Sequence, residues 1–317
     1  MIYCKLPSVS TLANRKESTM PHITPPPVAR IDDRAGRIFD YGEVADYPAD
    51  LYHHRTVAAG VEGFAGVTKE ALEHFHEQGY LVVHGAFSAV EVTAALEGLL
   101  YLLSGQHPTF KGVMYEKKAR GIEVERLPLE ERQDYVRKFM WFVDFDERLR
   151  ALAYHPQLME LLTTLLGEAP ALFQDMALIK PPRIGREKPW HQDHAYFDLP
   201  LETPVVGVWI ALDEATVENG CMVVYPGSHR MGPVVHFQRR DWQICDTYER
   251  TAGAIAVPLK PGGALFFHSL LQHGTPANSS SLRRRAVQFH YAPASAQKTS
   301  TEERLAIFGE EGKDVAC

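Results

Sequence analysis

Two hydrophobic periods divide the chain. Between Thr68 and Gly167 apolar residues recur at helical spacing, and between Ala171 and Tyr291 they come in short β-rich runs broken by Gly and Pro. In the first stretch Thr68 can cap a short helix carrying Leu72 and Phe75, Gly79 ends it, and Tyr80-Leu81-Val82-Val83 reads as a strand. Ser88-Ala89-Val90-Glu91 is a capping box that opens a helix through Leu103, with Leu96, Leu99, Leu100 and Leu103 on one face. Pro156 at a first helical position, leucines at 158, 161, 162, 165 and 166, and Gly167 at the end predict a third helix. These leucines are core residues and carry no chemistry.

The second stretch holds the runs Ala171–Ile179, Val205–Ala211, Cys221–Tyr225, Ala254–Val257, Ala264–His268 and Ala286–Tyr291, punctuated by Pro181-Pro182, Pro226-Gly227 and Pro261-Gly262-Gly263. Short strands following a helical half predict a mainly β fold with flanking helices, a double-stranded β-helix of the jelly-roll, cupin-like kind. The expected organisation is a single domain over 31–317, with a helical part at about 68–167 and a jelly-roll core at about 170–292. Residues 1–30 are polar and unpatterned and run into Thr24-Pro25-Pro26-Pro27, which reads as a disordered leader.

Composition narrows the partners. A chain of 317 residues with 45% hydrophobic and 23% charged residues is an ordinary globular protein, and a formal charge of −7 argues against nucleic acid or an acidic membrane as partner. Small molecules remain as the expected partner, and oligomeric state is not legible. Cys4, Cys221, Cys245 and Cys317 form no Cys-x-x-Cys pair, so neither a zinc knuckle nor a disulfide framework is expected, and a cytoplasmic location fits. No apolar run reaches the length of a membrane span, no secretory signal is expected, and the final Asp-Val-Ala-Cys is not a peroxisomal address.

Candidate chemistry centres on His191-Gln192-Asp193. In a strand, residues i and i+2 share a face, so the pair offers one nitrogen and one oxygen to a single ion, and a distant histidine can complete two-His, one-carboxylate ligation with positions left open. The tripeptide alone arises by chance in many proteins. Two residues compete for the distal place, His268 and His273, which an odd separation along a continuous strand would put on opposite faces. His194, His229 and His290 read as hydrogen-bonding or surface residues, Arg283 and Arg285 as a solvated face, and Cys221 as a buried apolar residue.

Reading forward, Trp190-His191-Gln192-Asp193 is followed by Trp209 in Val208-Trp209-Ile210-Ala211-Leu212-Asp213. Then come Glu218-Asn219-Gly220-Cys221, Pro226-Gly227-Ser228-His229, His273-Gly274 and Arg284, which stands eleven residues after His273. Together these closely resemble the phytanoyl-CoA hydroxylase-like family of Fe(II)- and 2-oxoglutarate-dependent oxygenases, over about Thr68 to Tyr291. The resemblance selects His273 over His268 and implies that His191, Asp193 and His273 hold Fe(II). It further implies that Arg284 grips the distal carboxylate of 2-oxoglutarate, a task suited to a planar, permanently charged fork. By family position Trp209 would pack against that cosubstrate, and Gln174 and Lys138 would add polar contacts to it. The implied reaction uses O₂ and 2-oxoglutarate to hydroxylate a small-molecule metabolite, such as an acyl-CoA or another carboxylate-bearing compound, with release of succinate and CO₂. The presence of Asp193 disfavours a halogenase. Two other classes stay open on the residues alone: a non-catalytic jelly-roll metabolite-binding protein, and a zinc hydrolase on a cupin-like barrel, which leaves Arg284 unexplained. The segments Met231–Thr251 and Gly105–Arg137 are the expected seats of substrate choice, because binding groups concentrate in long insertions on a rigid scaffold.

Overall fold

A computed structural model describes residues 31–32, 36–39, 46–246 and 253–314; the leader expected at 1–30 lies outside them. The three predicted helices form as their caps dictate. Thr68 accepts from Ala71 N and Gly79 closes Lys69–Gln78 in the left-handed region, the Ser88/Glu91 capping box opens Ala89–Ser104, and Pro156 and Gly167 bracket Pro156–Leu166. The stretch between the second and third helices differs from the expectation of a helical half. It supplies the strands Val113–Tyr115 and Val136–Met140, which extend the larger sheet. Among the described residues no helix is long and apolar enough to cross a membrane.

Among the described residues ten strands form that larger sheet. Its centre runs Val136–Met140, Pro170–Lys180, Arg284–Pro293, Val206–Ala211, Ala264–His268, Tyr80–His84, all antiparallel. Five strands form the smaller one, in the order Thr56–Val57, Ile255–Val257, Met222–Val224, His273–Thr275, Lys188–His191. The result is the expected mainly β jelly roll. Its central strands read as unbroken apolar runs because both of their faces are covered. Val206, Val208 and Ile210 join Leu81, Phe266, Val287 and Phe289 under the helices, while Trp209, Ala211, Leu265 and Phe267 alternate onto the inner side with Met222, Val224 and Ala256 of the smaller sheet. At about 25 cal/mol per Å² of apolar surface, each such fully buried large side chain contributes roughly 1.5–3 kcal/mol. Gly207 permits the closest approach in this layer, since a Cβ there would lie 2.4 Å from the Phe267 ring. The same alternation turns Met176, Leu178 and Lys180 inward on one strand, and Arg284, Gln288 and His290 inward on its partner.

Candidate metal centre

His191 ends the strand Lys188–His191 and pairs in register with His273, the first residue of His273–Thr275, so the two imidazoles meet with centroids 4.2 Å apart. Asp193 reaches them by a route that differs from the sequence expectation. The strand stops at His191, and Asp193 begins a short 3₁₀ turn, Asp193–Tyr196, so the turn rather than strand alternation aims the carboxylate. Gln192, fully buried between them, braces that bend. Its side chain donates to Gly232 O (3.0 Å) and Leu270 O (2.8 Å) and accepts from Val234 N (2.8 Å). A motif position that reads as a spacer is therefore a structural anchor.

The ligand atoms of His191, Asp193 and His273 all lie within 4.8 Å of one another, and all three residues are buried. His191 Nε2 stands 3.2 Å and His273 Nε2 3.6 Å from Asp193 Oδ1. Each imidazole donates Nδ1–H to a backbone carbonyl, His191 to Pro189 O at 2.8 Å and His273 to Leu271 O at 2.9 Å. A carbonyl only accepts, so the proton sits on Nδ1 and the Nε2 lone pair faces the carboxylate. Burial, and then His191, pushes His273 down to about 3, which keeps it neutral. Burial also opposes ionisation of Asp193, but the imidazoles of His273 and His290 around it, with the hydrogen bond from His290, outweigh it and hold the carboxyl well below its usual value. Its other oxygen accepts from His290 Nε2 (2.7 Å) and Gln288 Nε2 (3.2 Å), so His290 is a buried partner of the carboxylate. Two nitrogen lone pairs and an anionic oxygen converging out of water call for a cation between them. Two imidazoles and one carboxylate fit a divalent ion of the iron type, with coordination positions left open.

A cavity adjoins these three residues and is walled by five cationic side chains, Arg137, Lys138, Lys180, Lys188 and Arg284, together with Met176, Leu178, Met222, Tyr196 and Gln288 among others. Arg284 is 1% exposed. Its Nη1 makes one long contact to Leu178 O at 3.4 Å, its Nε has no hydrogen-bond partner among the described residues, and its guanidinium lies 5.3 Å from the Trp209 ring centroid. Burial and the charge of Arg137 push it down to about 9. Of the four residues expected around the cosubstrate, Arg284 and Lys138 line this cavity. Trp209 is fully buried behind Arg284, and Gln174, one inward step beyond Met176 and opposite His290, is outside the lining.

Two further expectations are corrected. Arg283 and Arg285 are not a solvated face: Arg283 pairs with Glu130 and Asp134, and Arg285 makes a two-pronged contact with Asp213 at 2.7 and 2.8 Å. His268 and His273 do not share a continuous strand. His268 ends a strand of the larger sheet, next to His229, and the chain crosses to the smaller sheet before His273. Sequence reasoning missed Arg137, Lys180, Lys188, Tyr196 and Gln288 as cavity residues. The inward parity of Lys180 with Met176 and Leu178 was the available signal for one of them. At the rim, Lys188 Nζ bonds Asp241 and Tyr196 Oη, both at 2.9 Å. Glu187 takes Tyr52 Oη at 2.5 Å and also Arg240, which ties the segment after Met231 to the strand that carries His191.

The family model described as phytanoyl-CoA dioxygenase (PhyH) matches residues 75–286. The peroxisomal phytanoyl-CoA dioxygenase of Bos taurus is 29% identical over 169 residues, 50% of this chain and 50% of that protein. The phytanoyl-CoA dioxygenase of Arabidopsis thaliana is 26% identical over 260 residues, 73% of this chain and 90% of that protein. The chain thus spans about half the length of the bovine relative. The structure of EvdO2 from Micromonospora carbonacea var. aurantiaca, complexed with 2-oxoglutarate, superposes with a TM-score of 0.57 at 24% identity, covering 80% of this chain and 99% of that one, which establishes the shared fold.

Proposed function

The chain belongs to the phytanoyl-CoA dioxygenase family, and from that premise we propose that it is an Fe(II)- and 2-oxoglutarate-dependent dioxygenase that hydroxylates a small-molecule metabolite. One observation carries this reading: the buried His191, Asp193 and His273 group borders the same cavity into which Arg284 brings a buried guanidinium that pairs with no carboxylate among the described residues. When bound, Fe(II) with 2-oxoglutarate and O₂ supplies the oxidation, in which the oxo acid becomes succinate and CO₂ and one oxygen atom enters a C–H bond of the substrate.

The protein's own part is positional and electrostatic. His191, Asp193 and His273 would hold the metal, with His290 and Gln288 engaging the second oxygen of Asp193 so that the first stays free for it. Arg284, backed by Trp209, receives the distal carboxylate of the cosubstrate, and Lys138 adds a second cation along the wall. Met176, Leu178 and Met222 keep the space beside the metal apolar, which excludes water from the reacting centre. Lys188 and Tyr196 at the rim, with the Arg240 segment behind them, favour a substrate that carries a carboxylate or another anionic group. A single domain and a cytoplasmic setting, in which Cys221 and Cys245 stay reduced, complete the proposal.

The test is a screen of carboxylate-bearing metabolites and acyl-CoAs against the iron-loaded protein. A substrate must yield hydroxylated product matched by equal amounts of succinate and CO₂ above the substrate-free background. Binding of such a compound without oxidation, in protein that retains iron and 2-oxoglutarate, would favour a binding protein instead.

A further inference from the structure

Lys180 closes the strand Pro170–Lys180 and stands directly opposite Arg284 in the antiparallel register. It is 2% exposed and lines the cavity. Its ammonium donates to Thr275 O at 3.2 Å and to Pro276 O, which leaves one of its three N–H groups unassigned. Among the described residues neither Lys180 nor Arg284 makes an ion pair with a carboxylate. The third cation nearby, Arg137, is differently placed, with carbonyls of Arg186 and Glu187 and the carboxylate of Glu116 around it. The room for the lysine head is built into the backbone. Gly220, at φ +84°, has no side chain there, and a Cβ would fall 3.0 Å from Lys180 Nζ and 2.4 Å from Pro276 O.

Two neighbouring buried cations with no anion between them are costly, and proteins retain such groups when a ligand neutralises them. We infer that Lys180 is a second anchor for the distal carboxylate of the oxo-acid cosubstrate, which it holds jointly with Arg284. The inference rests on the cosubstrate assignment proposed above. Burial, then Arg284 and Arg137, depresses the Lys180 ammonium well below its usual value, and a carboxylate placed between the two cations relieves the last two causes. The competing account makes Lys180 only a staple for the backbone after His273. The two differ in ligand selectivity, because a staple supports every ligand alike whereas an anchor serves only ligands that carry a distal carboxylate.

The experiment compares anaerobic binding of 2-oxoglutarate and 2-oxobutyrate, which shares the metal-chelating end and lacks the distal carboxylate, to the Fe(II)-loaded protein by calorimetry. In Lys180→Met, and in Lys180→Gln, which keeps a donor for the two carbonyls, 2-oxoglutarate should weaken roughly ten- to hundredfold while 2-oxobutyrate stays within about twofold. Arg284→Gln, which leaves Lys180 untouched, should keep a residual preference for 2-oxoglutarate. Equal losses for both ligands in the Lys180 variants, no loss at all, or complete loss of preference in Arg284→Gln would each overturn the anchor. Failure of the unmodified protein to bind 2-oxoglutarate would instead remove the cosubstrate assignment itself.

Discussion

The two ends of the cavity are built by opposite rules. At the metal end the second polar atom of every ligand is already engaged: Nδ1 of His191 and of His273 with carbonyls, and Oδ2 of Asp193 with His290 and Gln288. At the cation end Arg284 Nε and Trp209 Nε1 are buried without a hydrogen-bond partner among the described residues. Nδ1 of His290, behind Asp193, is also unpartnered among the described residues, so the contrast lies in the ligands themselves, which are engaged, and in Arg284, which is not. The first end is organised in advance for a small ion whose ligand geometry must be exact to a few tenths of an ångström. On the reading proposed above, the second is completed by the cosubstrate.

The largest effect should come from breaking the organised end. Asp193→Ala and His273→Ala should each lower Fe(II) affinity by at least about a hundredfold in equilibrium dialysis, since either removes one of three ligands. His268→Ala should leave iron bound, because its strand lies in the other sheet. Loss of iron in His268→Ala with retention in His273→Ala would invert the assignment.

Arg284→Lys addresses the unfinished end. It keeps the charge and loses the fork, so the KM for 2-oxoglutarate should rise roughly ten- to hundredfold while Fe(II) affinity and melting temperature change little. An unchanged KM would transfer the role to Lys138 or Lys180.

What the sequence made legible follows from the range of the forces involved. The helix limits at Thr68, Gly79, Ser88, Pro156 and Gly167 are set by capping within a few residues, so they could be read directly. The inner and outer faces of Val206–Ala211 obey period-two alternation and were legible for the same reason. The metal residues were legible as a motif, yet the reason given for their convergence was wrong. Gln192 bends the chain through contacts to Gly232, Val234 and Leu270, 40 to 78 residues away, which no local pattern encodes. Long-range pairing also hid the true setting of Arg285, whose partner Asp213 is 72 residues distant, and of Lys180, whose neighbour Arg284 comes from another strand. The cation end was therefore read as Arg284 with Lys138, where the fold assembles five cationic side chains.

The smallest predicted effect concerns acid stability of the metal-free protein. Burial, then His229, holds His268 down to about 4, and burial, then His191, holds His273 near 3, against 6.5 for an ordinary histidine. The folded state then binds fewer protons than the unfolded one. The stability these neutral rings contribute is present in full above about pH 6.5 and is lost as the pH falls toward 4 and then 3. Urea melts at pH 7 and 4.5 should show His268→Gln, which keeps an acceptor for Leu270 N, losing on the order of 1–3 kcal/mol less than the unmodified protein. Identical losses would mean that His268 titrates normally.

The most direct test of the central claim, that one cavity presents an iron site and an oxo-acid site to each other, is substrate-free turnover of 2-oxoglutarate. Protein loaded with Fe(II) in air should release succinate slowly from 2-oxoglutarate. N-oxalylglycine should block that release, and zinc-loaded protein should produce none. Succinate formation that persists in iron-free, zinc-loaded protein, or no succinate from protein shown to hold both iron and 2-oxoglutarate, would contradict the account.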